Sequence, residues 1–412
     1  MSRLKIAVLF GGCSPEYGVS LQSAAAVLRH MAQSRYEPVM VGISQAGDWF
    51  HYTGPVDSIE SDTWHNAETC VPAVMRPDRS APALLVFGRE GMQKVHLDVA
   101  FPVLHGRNGE DGTVQGLFEL AGIPLVGCGV LASALCMDKD RAHKLAQAAR
   151  VEVPRSAVLE RWMGVTVAMA EGETLGYPLF VKPVRAGSSY GITKVMERGQ
   201  LPAALESAFA YDDHVILEEA VPGFEVGCAV MGNETLTVGE PDEIELAGGF
   251  FNFTEKYTLE TSAIHVPARV PMEQREQIKA NAKRIYRALG CRGFARVDQF
   301  LTPDGRLVFN EVNTIPGFTA HSRYPNMMKA AGMPFEQVIS SLIELAVKRG
   351  YCVSWSARKT DQAARQGLPA KIRFARANST FSLAVCFCRP RYRVFRYRNL
   401  PLTTAKHVRL LL

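Results

Sequence analysis

The segment from residue 293 to residue 325 constrains the fold of this chain more than any other stretch. Runs of alternating apolar residues at 294–301 and 307–312 flank a Pro-Asp-Gly turn at 303–305. This pattern predicts an antiparallel β-hairpin. Because successive side chains of a strand point to opposite faces, the polar residues of the hairpin are expected to share one face opposite a buried one.

Asp298, Glu311 and Asn313 are three residues with side-chain oxygens that fall on the same face of this hairpin. Their oxygens suit Mg²⁺, which completes its coordination shell with water and substrate phosphates. Arg296 precedes Asp298 by two residues, and the loop 313–317 can present backbone N–H groups. The combination is typical of a site that holds a phosphoryl group and an oxyanion. A solvated acidic hairpin would explain the carboxylates alone.

Length and composition are those of a multidomain globular protein. The chain has 412 residues, 47% hydrophobic and 21% charged, which favours two to four domains. No apolar run is long enough to span a bilayer, and the first strand follows Met1 closely without a signal-peptide pattern. Nine scattered cysteines favour reduced thiols. We therefore expect a cytoplasmic protein without a membrane partner.

Charge is divided unevenly along the chain. Residues 1–350 hold 33 Lys and Arg against 40 Asp and Glu, whereas residues 351–412 hold 13 against one. A basic tail of this kind could contact nucleic acid, but an appendage unrelated to the body explains it as well. The tail follows a predicted helix that ends at 348–350, and we expect no nucleic-acid partner.

A glycine-rich turn at 11–20 joins the first strand to a helix predicted at 21–33. Such a turn places a helix N-terminus at a ligand site at the carboxyl end of a sheet. Glu16 in this turn could bind an ammonium group or simply cap the helix. The double glycine alone is a weak signal because it lacks the spacing of a dinucleotide fingerprint.

A second loop, at 104–112, contains His105 and three glycines together with Glu and Asp. Such a loop is exposed, and we interpret it as functional rather than as a plain turn. A helix is predicted to begin at Thr113. Another helix, predicted at 133–149, carries Lys139, which would ordinarily be a solvated helix lysine.

Lys182 lies in an apolar strand and is followed by a Gly-Ser-Ser loop at 187–189. A lysine on a buried strand needs a counterion, and the loop offers N–H and hydroxyl donors that could cover a triphosphate. The next strand, at 214–221, ends in Glu218 and Glu219, and Glu225 follows in another strand. Carboxylates at these positions suit the donors of an adenine and a ribose.

Eight ordered motifs carry a family resemblance: GGCSPEYGVS, HGRNGEDG, CMDKDRAHK, YPLFVKPVRAGSS, EVGCAV, EKY, FARVD and NEVNTIPGFTAHSRYP. Over about residues 4–348 they closely resemble the D-alanine–D-alanine ligase family of ATP-grasp enzymes, and most of all its vancomycin-resistance-type D-alanine–D-serine ligases. Nothing in the family resembles residues 351–412.

The resemblance implies an α/β protein with the ATP-grasp fold, in which an N-terminal doubly wound α/β domain precedes two α+β domains that clasp ATP. The implied domains are 1–127 for substrate binding, 128–218 as the small ATP-grasp domain, and 219–350 as the large one with a lid at 247–262. Residues 351–412 would be a basic tail outside any domain.

The resemblance also implies roles for individual residues. Those implied in catalysis are Glu16, Ser188, Tyr257, Arg296 and the N–H of Gly317. Those implied in substrate binding are His105, Lys256, Ser322 and Arg323, and those implied in ATP binding are Lys139, Lys182, Glu218 and Glu225. The implied magnesium ligands are Asp298, Glu311 and Asn313. One departure is Gly18, where many relatives carry an acid.

The implied activity is ATP-dependent joining of two D-amino acids, D-alanine and most closely D-serine, with two Mg²⁺ ions (or Mn²⁺) and a homodimeric assembly. Lys256 and Tyr257 match the amino-acid-forming branch and disfavour D-lactate. Arg323 stands where D-alanine–D-alanine ligases typically carry leucine, and its donors suit the serine hydroxyl. It could instead pair with a nearby acid. A D-alanine–D-alanine ligase is the nearest alternative, and a catalytically silent nucleotide-binding regulator is another.

Overall fold

The computed structural model describes residues 3–246, 262–319 and 322–365. The predicted lid, with Lys256 and Tyr257, lies outside the described residues except for its last position, and so does most of the predicted tail. Among the helices of the described residues, none is long and apolar enough to cross a membrane.

The first sheet has seven strands in the order β6-β5-β4-β3-β2-β1-β7. Strand β1 lies between β2 and β7 and runs parallel to both, and the pairs from β2 outward to β6 are antiparallel. The strands are β1 (Leu4–Gly11), β2 (Tyr36–Ile43), β3 (Trp49–Tyr52), β4 (Cys70–Arg76), β5 (Ala83–Gly88), β6 (Gly91–Val95) and β7 (Val99–Pro102).

Strand β1 is buried on both faces, which explains its continuous apolar run. Val8 and Phe10 pack into one hydrophobic core, and Ala7 and Leu9 pack into the core on the other side. Gly11 ends the strand with φ of +88°, and a Cβ there would overlap the Ile43 carbonyl oxygen. Only glycine therefore lets the chain leave the sheet at this point.

Helices α1 (Tyr17–His30), α2 (Val56–Glu60) and α3 (Thr113–Ala121) pack against this sheet. The sheet, these three helices and the loops that connect them are here called the first unit. The predicted start of α3 at Thr113 is confirmed. The predicted bounds of α1, 21–33, are wrong by several residues, because the helix begins directly after Glu16. Glu16 consequently occupies the N-cap position of α1.

The single helix predicted at 133–149 is two helices, α4 (Val130–Met137) and α5 (Lys139–Ala148). Asp138 has the extended conformation, with φ of −89° and ψ of 102°, and its side chain accepts a hydrogen bond from the Arg141 N–H at 2.9 Å. It ends one helix and caps the next. The apolar residues of both helices join the core of the third sheet, described below.

The second sheet is antiparallel with the strand order β10-β9-β11-β8. Its strands are β8 (Ser156–Glu160), β9 (Leu179–Pro183), β10 (Thr193–Val195) and β11 (His214–Glu219). Helices α6 (Gly164–Leu175) and α7 (Leu201–Phe209) supply the other half of its core. Short 3₁₀ turns at Arg161–Met163 and Arg198–Gln200 precede the two helices.

Within the described ranges, the third sheet has the order β15-β14-β12-β16-β17, with β13 paired to β12. Its strands are β12 (Phe224–Gly232), β13 (Leu236–Val238), β14 (Asp242–Leu246), β15 (Ser262–His265), β16 (Gly293–Leu301) and β17 (Leu307–Asn313). The hairpin predicted from the sequence is β16–β17, and it is confirmed as antiparallel. The helices of this part are α8 (Met272–Ala288), α9 (Arg323–Ala330) and α10 (Phe335–Arg365).

Helix α10 corrects the expected helix end at 348–350, since it continues to Arg365. Gly350 does not terminate the helix, because a single glycine costs a helix only about 1 kcal/mol. Just before that glycine, the Arg349 guanidinium donates to the carbonyls of Leu125 and Gly127 at 3.1 and 3.2 Å. These bonds tie α10 to the segment that leaves the first sheet.

Candidate active site

The β16–β17 hairpin places the predicted metal ligands together. Asp298 lies directly opposite Glu311, and Arg296 lies opposite Asn313. The two residues on β16 are two positions apart, and so are the two residues on β17. All four side chains therefore share one face of the sheet. The strand periodicity in the sequence was sufficient to predict this arrangement.

Asp298 is almost completely buried and is held by its neighbours. The Arg296 guanidinium donates to its two oxygens at 2.8 and 2.7 Å, and the Asn313 amide donates at 2.9 Å. Within the described parts of the chain, no group of three His, Cys, Asp or Glu side chains could hold a metal. Two carboxylates and an amide nevertheless fit Mg²⁺, provided that phosphate and water oxygens complete the shell.

Lys139, at the first position of α5, is buried against this metal face. Its Nζ donates to the Ala186 carbonyl at 2.8 Å and lies 4.0 Å from Glu311 Oε2. The lysine therefore joins the Gly-Ser-Ser loop to the edge of the hairpin. Its burial contradicts the alternative of a solvated helix lysine.

Lys182 on β9 and Glu218 on β11 form a buried ion pair. Burial alone would raise the pKa of Glu218, but the charges of Lys182 and His143 outweigh it and hold that pKa below its usual value. The counterion that a buried strand lysine requires is thus Glu218. Both residues were predicted to bind ATP, and these roles stay predictions.

No role for His143 was predicted from the sequence. It lies one turn after Lys139 on α5, and its Nε2 donates to the Asn310 carbonyl at 2.8 Å. Its Nδ1 is 3.8 Å from Glu218 Oε1, and neither of these two buried atoms has a hydrogen-bond partner among the described residues. The i, i+4 spacing from Lys139 was the signal that could have found it.

Glu16 is buried at the N-cap of α1 and accepts a hydrogen bond from the Ser188 hydroxyl. Ser188 has a positive φ of 48°, which is unusual for a residue with a side chain. Two glycines pack against the carboxylate, because a Cβ at Gly106 or at Gly187 would approach Glu16 Oε2 closely. The predicted link between Glu16 and Ser188 is present, while its other predicted partner, Tyr257, lies outside the described residues.

His105 is deeply buried, and its ring contacts protein groups on both sides. Nδ1 lies 2.9 Å from the Ile315 carbonyl, and Nε2 lies 3.3 Å from Ser23 Oγ. Burial lowers the pKa of His105 to about 4. The ring is therefore neutral at physiological pH, and its predicted contact with substrate stays a prediction.

Glu110 is a second buried residue of the site for which the sequence predicted no individual role. Its carboxylate accepts hydrogen bonds from the Gly106 N–H at 2.9 Å and the Ile315 N–H at 3.0 Å. Burial raises the pKa of Glu110 well above its usual range, and the negative charge of Glu16 is the next largest cause of the increase. Glu16 and Glu110 thus both lie against Gly106.

Gly317 and Ser322 pack against each other after the hairpin. A Cβ at Gly317 would lie 2.9 Å from Ser322 Oγ, so only glycine fits without a shift. Ser322 Oγ accepts a hydrogen bond from the Thr319 N–H at 2.9 Å. Ser322 therefore shapes the loop, and its predicted contact with a substrate carboxylate stays a prediction.

Arg323 lies in a buried cluster of acids, which is the alternative left open from the sequence. Its Nε and Nη2 donate to both oxygens of Asp242 at 2.6 and 2.7 Å, and its Nη1 donates to Glu225 at 2.6 Å. Nη2 is also 3.5 Å from Asp298 Oδ1. The role of Arg323 as a contact of the second substrate stays a prediction, but three of its donors have protein partners.

Comparisons with known proteins agree with the geometry. Residues 5–128 match the family model described as D-ala D-ala ligase N-terminus, and residues 145–344 match D-ala D-ala ligase C-terminus. The crystal structure of VanG D-Ala:D-Ser ligase from Enterococcus faecalis is 54% identical, covers 84% of this chain and 100% of its own, and superposes with a TM-score of 0.78.

Two further relatives differ in what their names state. The Vancomycin B-type resistance protein VanB of Enterococcus faecalis is 46% identical over 355 residues, which are 85% of this chain and 100% of the relative. A putative D-alanine–D-lactate ligase of Streptomyces coelicolor is also 46% identical, over 352 residues, which are 84% of this chain and 99% of the relative.

Proposed function

Because the chain belongs to the D-alanine–D-alanine ligase family of ATP-dependent ligases, we propose that it joins D-alanine to D-serine. The predicted ATP-grasp fold is confirmed by the structural neighbours of this family. The observation that carries the choice of D-serine is the 54% identity to a D-Ala:D-Ser ligase along the whole of that chain.

In the first step, a carboxylate oxygen of D-alanine attacks the γ-phosphorus of ATP, so that D-alanyl phosphate forms and ADP leaves. We assign Lys139 and Lys182 to the triphosphate, since both are buried cations and Lys139 Nζ donates to the Ala186 carbonyl, directly before the loop at 187–189. Asp298, Glu311 and Asn313 would hold magnesium, which neutralises the transferring phosphoryl group. Two ions, or Mn²⁺ in their place, are part of the proposal.

In the second step, the amine of the second substrate attacks the acyl carbon, and phosphate leaves as the amine loses a proton. Arg296 and the Gly317 N–H would stabilise the oxyanion of the tetrahedral intermediate, and losing such a donor typically costs about 3–4 kcal/mol. Glu16 would hold the ammonium of D-alanine from its buried position at the helix N-cap. Ser322 and Arg323 would lie nearest the second substrate.

The product would serve as an altered peptidoglycan precursor with lower affinity for vancomycin, as the name of the VanB relative suggests. We place the reaction in the cytoplasm, where ATP is available, and expect a homodimer. We propose a first domain at 1–127 and the two ATP-grasp domains at 128–218 and 219–350, with the correction that α4 and α5 pack in the core of the third sheet and so belong with the large domain.

A D-alanine–D-alanine ligase of ordinary cell-wall synthesis is the second candidate, favoured by the names of both family models. The relative named as a D-alanine–D-lactate ligase adds D-lactate as a third candidate for the second substrate. Lys256 and Tyr257 disfavour D-lactate, but they lie outside the described residues. A silent regulator would be expected to lose Arg296 or a metal ligand, and the sequence retains them.

Competition between second substrates tests the proposal. The enzyme is given ATP, Mg²⁺ and D-alanine with equal concentrations of D-serine and D-lactate, and ADP release is followed while products are identified by mass. We expect D-alanyl-D-serine to predominate. A predominance of D-alanyl-D-alanine would support the second candidate, and a depsipeptide would support the D-lactate activity.

A further inference from the structure

Residues 315–318, here called the oxyanion loop, are held by side chains from the first unit. The Ile315 carbonyl accepts from His105, and the Ile315 N–H donates to Glu110. The Phe318 N–H donates to Ser23 Oγ at 3.2 Å. Backbone groups on both sides of Gly317 are therefore fixed by residues that lie more than 200 positions away in the chain.

Gly317 itself depends on these bonds for its position. It has no side chain, and Pro316 before it has no N–H. Among the described residues, none accepts a hydrogen bond from the Gly317 N–H. That N–H is the donor proposed above for the oxyanion, and its direction is set by how Ile315 and Phe318 are held.

The direction of the protons around Ser23 follows from chemistry. A carbonyl only accepts, so His105 Nδ1 carries the hydrogen that it shares with Ile315. The neutral ring then accepts at Nε2, and the Ser23 hydroxyl donates to it while accepting from the Phe318 N–H. The low pKa of His105 agrees with a neutral ring. One serine thus orients both the imidazole and the loop.

Helix α1 joins this arrangement to the site of the first substrate. Glu16 is its N-cap, and Ser23 lies seven residues later, on the same face of the helix. Ser23 is fully buried. A displacement of α1 would therefore move the carboxylate proposed for the D-alanine ammonium and the hydroxyl that holds the oxyanion loop together.

We propose that Ser23, His105 and Glu110 are positioning residues that aim the Gly317 N–H at the oxyanion of the second step. The proposal rests on the proposed role of Gly317. Residues that position the oxyanion donor affect attack on the acyl phosphate and not its formation. This difference distinguishes them from residues that only join two parts of the fold.

Ser23→Ala and Glu110→Gln test the proposal. Ser23→Ala removes the acceptor of the Phe318 N–H. In Glu110→Gln, one of the two backbone N–H groups that Glu110 accepts keeps an oxygen acceptor, and the other faces the side-chain NH₂, which cannot accept. Two rates are measured: positional isotope exchange in ¹⁸O-labelled ATP, which reports reversible acyl-phosphate formation, and net dipeptide formation. We expect dipeptide formation to fall about 10- to 100-fold, while exchange and the KM for ATP change little.

Matched control variants come from the same helix and the same loop. Ser20 is buried on α1 and likewise accepts one backbone N–H, that of Gly11, and donates to the Val103 carbonyl. Asp111 adjoins Glu110 and also accepts two backbone N–H groups, those of Asn108 and Thr113. Ser20→Ala and Asp111→Asn should keep the ratio of exchange to dipeptide formation at the wild-type value.

A ratio that rises in Ser23→Ala and Glu110→Gln but not in the controls supports the proposal. Exchange that falls in parallel with dipeptide formation would overturn it, since the residues would then serve the first step, and so would an unchanged rate. If Ser23→Ala does not fold, Glu110→Gln decides alone. A wild-type protein that forms no dipeptide at all would refute the proposed function instead.

Discussion

Replacing Arg323 with leucine is expected to have two separable effects, one on stability and one on substrate choice. The guanidinium is buried, and Asp242, its bidentate partner, is completely inaccessible to solvent. Leucine cannot pair with Asp242 or Glu225, so both carboxylates lose the cation that they share. Among the described residues, Asp242 would keep only the bond that it accepts from the Gly227 N–H at 2.8 Å.

Removing one partner of a buried ion pair typically costs about 3–5 kcal/mol, because a charge is left without compensation. We expect Arg323→Leu to lower the free energy of unfolding by about that amount. Adding Asp242→Asn should restore most of it, since an amide carries no charge and still accepts from Gly227. Arg35→Leu is the control, because Arg35 pairs with Glu344 while half-exposed and should matter little.

Substrate choice is the second effect. A guanidinium has five N–H bonds, and three of them go to Asp242 and Glu225. If another donates to the serine hydroxyl, kcat/KM for D-serine should fall more than kcat/KM for D-alanine in Arg323→Leu, because a polar site discriminates strongly against a missing partner. The comparison is made in the Asp242→Asn background, where the protein is more stable.

Urea unfolding midpoints and kcat/KM for both second substrates check this prediction. If the double variant is no more stable than Arg323→Leu, uncompensated charge is not the cause of the loss. If both kcat/KM values fall by the same factor, Arg323 shapes the site but does not select D-serine.

Three further predictions follow from the structure. Glu311→Gln should abolish product formation while circular dichroism and the unfolding midpoint stay near wild type, since Glu311 lies at a partly exposed edge; normal turnover at saturating Mg²⁺ would exclude it as a ligand. Deleting residues 351–412 should leave ADP release intact, because the bonds of Arg349 to the first unit precede the cut. The pKa of His105 is lowered from 6.5 to about 4 by burial, so the unfolded chain takes up a proton that the folded protein excludes. The contribution of neutral His105 to the free energy of unfolding is therefore present above pH 6.5 and is lost as pH falls towards 4, by about 3 kcal/mol in all. Urea unfolding midpoints of His105→Gln should change less over this pH range than those of the wild type.

Local patterns predicted the parts of the site that lie within one strand or one hairpin. The hairpin placed Asp298 opposite Glu311 because strand periodicity and a turn sequence determine register over short distances. A lysine inside an apolar strand required a nearby counterion, and Glu218 on the neighbouring strand supplies it. The hairpin register and the need for a counterion follow from local sequence, whereas the identity of Glu218 as that counterion depends on the pairing of β9 with β11.

Helix ends were predicted less well, since each depends on one residue's backbone conformation. Asp138 interrupts a continuous helical pattern because its side chain caps α5. Gly350 does not stop α10, although a glycine after basic residues is a common helix end. Composition near a helix end therefore indicates a boundary without fixing it.

The contacts of Ser23 and Arg323 could not be predicted from one sequence, because Ser23 bonds a residue 295 positions away and Arg323 bonds one 81 positions away. Ser23 nevertheless had a detectable signal. It is completely buried on α1, between residues such as Ala24 and Val27 that pack into the core, where a serine hydroxyl needs a partner. A polar residue on the buried side of a helix thus indicates a distant backbone partner, and in this protein that partner is the loop proposed to stabilise the oxyanion.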